Sequence, residues 1–135
     1  MHAIITLAGG VILDEKSRIL LIHRNTEARK QWELPGGKVE PTEDAKSACI
    51  RELKEEIGVT VVSANLIGNI GFSEDGYKMH YIVFLCKAIK TKPKLLEDKF
   101  DDLKFFSRKE LLECDSLSAN MRNFCKNEDL LALIA

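Results

Sequence analysis

The chain has 135 residues, 45 % hydrophobic and 30 % charged, which suits one globular domain over residues 1–135 with a real core and a solvated surface. A formal net charge of −1 excludes the broad positive field used for bulk electrostatic binding of nucleic acid, and the longest apolar runs, such as YIVFLC, are too short to span a bilayer. The start, MHAIITLAGG, has no basic segment followed by an apolar run and a cleavage site, so a soluble cytoplasmic protein is expected.

Residues Ile4 to Leu13 and Arg18 to Arg24 are apolar, β-branched runs separated by the turn-like DEKS, and read as a β-hairpin or two neighbouring strands. A polar loop at 25–31 leads into the short apolar WELP and a Gly-Gly turn. From about Asp44 to Ile57 the composition is helical, with Thr42 as the expected N-cap and Gly58 where a helix commonly ends. Val59 to Phe72 reads as one or two strands with a glycine break, and Met79 to Ile89, apolar on both alternating faces, as an internal strand. LKFF forms a last strand running into SRKE, a capping box with Ser107 as cap and Glu110 at its third helical position. A closing helix is expected from about Ser118 to Ala135. Mixed strands with two or three helices indicate an α/β or α+β sandwich. Cys49, Cys86, Cys114 and Cys125 are widely and irregularly spaced, which predicts free, mostly buried thiols rather than a zinc site.

The helix carries an unusual set of charges. At 100° per residue Cys49, Ile50, Leu53 and Ile57 share the core-facing arc. Glu52, Glu55 and Glu56 fall on a second arc with Ala45 and Ala48, so the N-terminal half of the acidic face is lined only by methyl groups. Like charges at these spacings repel by roughly 0.2–0.5 kcal/mol per pair, and they lie toward the helix end whose dipole disfavours them. Arg51 can relieve Glu55 but cannot neutralise three acids. A hard divalent cation would turn the repulsion into ligation, although RELKEE segments are also common on solvated helix faces.

The longer frame favours ligation. Gly37, Glu43, Arg51, Glu52, Leu53, Glu55, Glu56, Gly58 and Val59 fill every specified position of G-x5-E-x7-R-E-U-x-E-E-x-G-U, with U a bulky aliphatic residue. A chance match at one start point is on the order of 10⁻⁹ at ordinary residue usage. The stretch resembles the Nudix box. This resemblance implies an α/β/α sandwich with a mixed sheet, a loop–helix–loop catalytic motif, and Mg²⁺- or Mn²⁺-dependent hydrolysis of a nucleoside diphosphate linked to a further group. Carried onto this chain, it assigns metal binding to Glu52, Glu55 and Glu56 with the Gly36 carbonyl, and bracing of the loop and helix to Gly37, Glu43, Arg51 and Gly58. Glu52 is the favoured general base. Glu97, in the downstream LLEDKF, is its rival or a further metal ligand, or else a solvated loop charge. Arg24 and Lys38 are candidates for phosphate contact, whereas His23 and His80 fit packed or surface positions.

The box leaves the substrate open. No proline occurs in GFSEDGY, where members cleaving ADP-ribose often carry one, and Tyr77 lies near the tyrosine of dinucleoside-polyphosphate hydrolases. WELPGGKVE and the short chain look like the MutT-like nucleoside-triphosphate pyrophosphohydrolases. In that branch a segment resembling LSANMRNF places an asparagine, here Asn120, against a purine base, although the prolines that usually precede it are replaced by Leu117 and Ser118. The expectation is conversion of a nucleoside or deoxynucleoside triphosphate, oxidised or not, to monophosphate and pyrophosphate. Hydrolysis of another nucleoside diphosphate derivative and a non-catalytic nucleotide sensor are the alternatives. No stable nucleic-acid or membrane partner is expected, and both a monomer and a homodimer fit.

Overall fold

The first two strands turn back on each other but do not stay together. In the computed structural model, which describes residues 3–89 and 92–135, the turn is tied by Asp14, whose carboxylate accepts the backbone N–H groups of Lys16 and Arg18 at 3.0 and 2.9 Å. A single bridge, Leu13 to Ile19, follows, and then β1 (Ile4–Val11) and β2 (Ile19–Asn25) enter different sheets. The hairpin expectation is therefore corrected. Ile19 to Ile22 are all fully buried, so β2 needs cover on both faces and a neighbour on each edge. It takes β3 (Lys30–Glu33) and β7 (Phe100–Phe106), both antiparallel.

The larger sheet is mixed, in the order β4-β1-β6-β5. β1 runs parallel to β6 (Tyr77–Ala88) and antiparallel to β4 (Gly36–Lys38), and β5 (Val61–Glu74) forms the edge. β6 is internal, as its two-sided apolar pattern predicts. β5 is one continuous strand, and the expected glycine break is a register shift between Leu66 and Gly68. Asp75 and Gly76, both at positive φ, close β5 onto β6 in the two-residue turn that such a pair favours.

Alternate residues of the strands feed two cores, giving the sandwich expected from the sequence. Leu20, Ile22, Phe84 and Cys86 pack with Cys49, Leu53 and Ile57 of α1 (Ala45–Ile57) on one side. Leu21, Tyr81 and Val83 pack on the other side with Leu111 of α2 (Arg108–Glu113), Met121 and Phe124 of α3 (Ala119–Cys125) and Leu130 of α4 (Glu128–Leu131). The C-terminal segment is thus two short helices rather than one. Asn127 interrupts it, because its side chain accepts the Leu130 N–H and starts a new helix. All four cysteines are free, and Cys49 and Cys86 are buried with their sulfurs 3.7 Å apart.

α1 begins one cap later than expected. Asp44, not Thr42, accepts the Ser47 N–H at 2.8 Å. At the other end Gly58 adopts the left-handed conformation that lets its N–H return to the Lys54 carbonyl, a cap a side chain at this position would strain. The final carbonyls of α1 are used again. Glu56 and Ile57 accept the N–H groups of Leu96 and Lys94, which docks the segment carrying Glu97 against the acidic end of the helix. SRKE forms the expected capping box at α2.

Candidate active site

Between the two sheets and the start of α3 opens a cleft of about 490 Å³. β4 and α1 contribute Gly36, Gly37, Lys38, Glu52 and Glu56, and β2 and β3 contribute Arg24, Gln31 and Glu33. The β5–β6 hairpin supplies Phe72, Glu74, Met79 and Tyr81, and the entry to α3 supplies Ser118 and Asn120. Glu52 and Glu56 enter from α1, whereas Phe72 and Met79 enter from the β5–β6 hairpin, beside the Arg29–Glu74 pair. Of the sequence candidates, Gly36, Gly37, Lys38, Arg24, Glu52, Glu56 and Asn120 meet here, whereas Glu55 and Glu97 are not among the lining residues.

Arg51 organises the acidic helix. Its guanidinium donates to both Glu43 oxygens at 2.5 and 3.1 Å, to Glu52 at 2.9 Å, to Glu55 at 3.3 Å and to the Lys38 carbonyl at 3.2 Å. One cation therefore ties the loop after β4 to α1, and holds the Glu43 carboxyl below its ordinary range. Glu52 passes close over Gly37, where a β-carbon would stand 2.5 Å from its carboxyl carbon. Only a glycine leaves this carboxylate its place. Burial raises the Glu52 carboxyl above its ordinary value despite the pull of Arg51. Glu55 points outward, half exposed.

Glu56 is 1 % exposed and accepts the Gly36 N–H at 2.7 Å. Burial, followed by the charges of Glu52, Glu97 and Glu33, pushes its carboxyl up to about 8 in spite of that hydrogen bond. Glu97 has one buried carboxylate oxygen with no hydrogen-bond partner among the described residues, the Lys99 ammonium lying 3.7 Å from it. An orphaned carboxylate oxygen beside a buried carboxyl suits a hard divalent cation, and the donors are all oxygens. As they stand, no three acidic, histidine or cysteine side chains among the described residues converge closely enough to hold one. Ligation by Glu52 requires it to turn from Arg51.

Arg24 is engaged in a two-point pair with Glu33 at 2.8 and 3.1 Å and lies over the Phe100 ring at 5.0 Å. Glu33 and Phe100 thus fix Arg24 at the cleft edge. The Lys38 ammonium is exposed and makes no hydrogen bond or ion pair among the described residues. Asn120 is an early residue of α3, and its side-chain oxygen accepts from the Ser118 hydroxyl that caps the same helix. His23 pairs with Asp101 at 2.7 Å and His80 with Asn69 at 3.1 Å, both away from the cleft lining.

Several lining residues had no place in the sequence reading. Arg29 spans the two sheets, donating to Glu74 at 2.9 Å and to Asp75 at the β5–β6 turn. Glu33, an acid inside the apolar WELP, was a usable signal, since a buried carboxylate demands partners. The Asp-Gly turn would have revealed the hairpin that brings in Phe72 and Met79. Nothing local marked Tyr81.

The NUDIX domain family model matches residues 6–127, nearly the full length of the fold just described. The chain belongs to the Nudix family, and it is a Nudix pyrophosphohydrolase. It is similar to the 8-oxo-dGTP diphosphatase of Proteus vulgaris, 32 % identical over 69 % of this chain and 83 % of that protein. A shorter stretch resembles the CTP pyrophosphohydrolase of Escherichia coli, 42 % identical over 36 % of this chain and 37 % of that protein. Among solved structures, a MutT protein from Methanosarcina mazei superposes with a TM-score of 0.83 at 30 % identity, covering 93 % of this chain and 92 % of its own. A MutT Nudix hydrolase from Burkholderia pseudomallei gives 0.82 at 26 % identity over 99 % and 100 %. Members of the family generally use divalent metal ions. No helix among the described residues is long and apolar enough to cross a membrane.

Proposed function

We propose that this protein hydrolyses a nucleoside or deoxynucleoside triphosphate to its monophosphate and pyrophosphate with Mg²⁺ as cofactor, Mn²⁺ being able to substitute. The carrying observation is one cleft lined by both acidic and apolar side chains. Glu52 and Glu56 form an acidic end suited to a cation-bound polyphosphate, while Phe72, Met79 and Asn120 form an end suited to a base. The names of the similar proteins make 8-oxo-dGTP the first oxidised nucleotide to examine.

In this reading Glu52, Glu56 and the Gly36 carbonyl would hold the metal, with Glu97 joining them and Glu55 turning in from its outward position. The ion would neutralise phosphate charge and lower the pKa of bound water. Glu52 accepts the proton of the attacking water as the new oxygen–phosphorus bond forms and the anhydride bond breaks, pyrophosphate departing with the bond electrons. Glu97 is the rival base. Arg51 and Glu43 position Glu52 through the loop after β4. Lys38, without a partner among the described residues, contacts phosphate, and Arg24 does so from its fixed place beside Glu33. The side-chain amide of Asn120 can donate and accept toward a base edge once released from Ser118.

The test is incubation with Mg²⁺, Mn²⁺ or chelator and a panel of normal and oxidised triphosphates, ADP-ribose and diadenosine polyphosphates, with products resolved by chromatography. Pyrophosphate with a nucleoside monophosphate from a triphosphate, dependent on metal, is expected. Cleavage confined to ADP-ribose or dinucleotides would replace the triphosphate assignment, and no cleavage at all would favour a sensor.

A further inference from the structure

Tyr81 is 3 % exposed on β6, yet its hydroxyl makes no hydrogen bond among the described residues. That hydroxyl is not fully enclosed by the core, and its residue lines the cleft. The ring is held in place by close contact with β1. A β-carbon on Gly9 would stand 2.0 Å from the phenolic oxygen and 2.6 Å from the adjoining ring carbons, so the glycine makes room for this side chain. On one side Gly9 pairs with Gly36, whose N–H is taken by Glu56, and on the other Met79, two residues away on the same face of β6 and paired with Phe72, lines the cleft, so Tyr81 stands between the carboxylates and these apolar side chains. A buried hydroxyl without a partner costs stability, and its persistence at a cleft wall points to a partner that arrives with the ligand.

The surroundings also select that partner. Burial, then the charges of Glu33 and Glu56, keep Tyr81 protonated well above its ordinary range, so it is available as a donor. With the acidic end taken by the cation-bound polyphosphate, the acceptor that reaches a donor beside Met79 and Phe72 belongs to the nucleoside half. We infer that the Tyr81 hydroxyl is a substrate-recognition donor, giving a hydrogen bond to a neutral oxygen or nitrogen of the nucleoside half of the bound nucleotide. This rests on the triphosphate reading above and adds to it a residue outside the Nudix box.

The experiment compares wild type with Tyr81→Phe, which removes one oxygen and leaves the ring seated on Gly9. Steady-state kinetics are run on the best triphosphate of the panel, and thermal unfolding on the protein without nucleotide. Losing a donor to a neutral acceptor is expected to raise KM by about fivefold, with kcat held within about twofold. The unfolding midpoint should stay level or rise, because the unpartnered hydroxyl is gone. Affinity for a non-hydrolysable α,β-methylene triphosphate analogue, measured calorimetrically with Mg²⁺, should fall by the same factor. An unchanged KM and analogue affinity would overturn the assignment. A lowered midpoint with a matching fall in kcat would make the hydroxyl structural and overturn it too. Failure of the triphosphate reading shows differently, as a wild-type enzyme inactive on every triphosphate, and it removes the Tyr81 inference with it.

Discussion

Replacing Glu56 by Gln tests the acidic end of the cleft, because the substitution keeps side-chain volume and an oxygen for the Gly36 N–H while removing the charge. In the fold the carboxyl titrates at about 8 against an ordinary 4.5, burial being the main cause. The folded chain therefore keeps this proton to higher pH than the unfolded chain. The stability associated with the protonated group is complete below pH 4.5 and is lost as pH rises through about 8. At about 1.4 kcal/mol per unit, ionising Glu56 in the metal-free fold costs up to about 5 kcal/mol, of which roughly 1–3 is expected to survive relaxation and water entry. Denaturant unfolding in chelator should thus show Glu56→Gln nearly neutral at pH 5 and more stable than wild type by that margin at pH 9. Divalent cation should invert the order, stabilising wild type and not the variant. Turnover should fall by at least about 10³-fold. A stability difference independent of pH would refute the buried-carboxyl account, and near-wild-type turnover at saturating Mg²⁺ would refute the metal assignment.

Gly37→Ala drives a methyl into the Glu52 carboxyl, and should lower kcat by about ten- to a hundredfold with a much smaller change in the unfolding midpoint. Arg29→Ala releases the β5–β6 turn from the β2–β3 loop. It should raise KM severalfold at low salt, with the effect shrinking at high salt, and cost under about 1 kcal/mol in denaturant unfolding because these ion pairs are partly solvated. Asp44→Ala removes the cap of α1 and should lower the denaturant midpoint in the same unfolding assay, with activity falling only through stability.

The helix that carries the Nudix box could be read almost completely from local sequence. Its apolar spacing fixes which face meets the core, Gly58 fixes its end, and the nine box positions fix the family, since each requirement acts within a turn or two of chain. The Ser107 capping box is equally local. Where rules of similar range competed, the reading slipped by a residue or two, as with Thr42 against Asp44, or ran one helix through Asn127.

Partnership across the fold was decided elsewhere. Whether β1 pairs with β2 depends on which edges the remaining strands offer, and those strands come from residues far along the chain. Arg24 has the charge for phosphate contact, but only the β2–β3 register sets it against Glu33. The three glutamates are equivalent on a helical wheel. Packing alone separates them, burying Glu56 beneath the Gly36 N–H, turning Glu52 into the cleft and leaving Glu55 in solvent. Sequence by itself determined the candidate groups and the family, because these are written in short-range spacing. The tertiary structure decided their protonation, their partners and the unpaired Tyr81 hydroxyl, because desolvation and long-range contact exist only once the sheets and helices close around them.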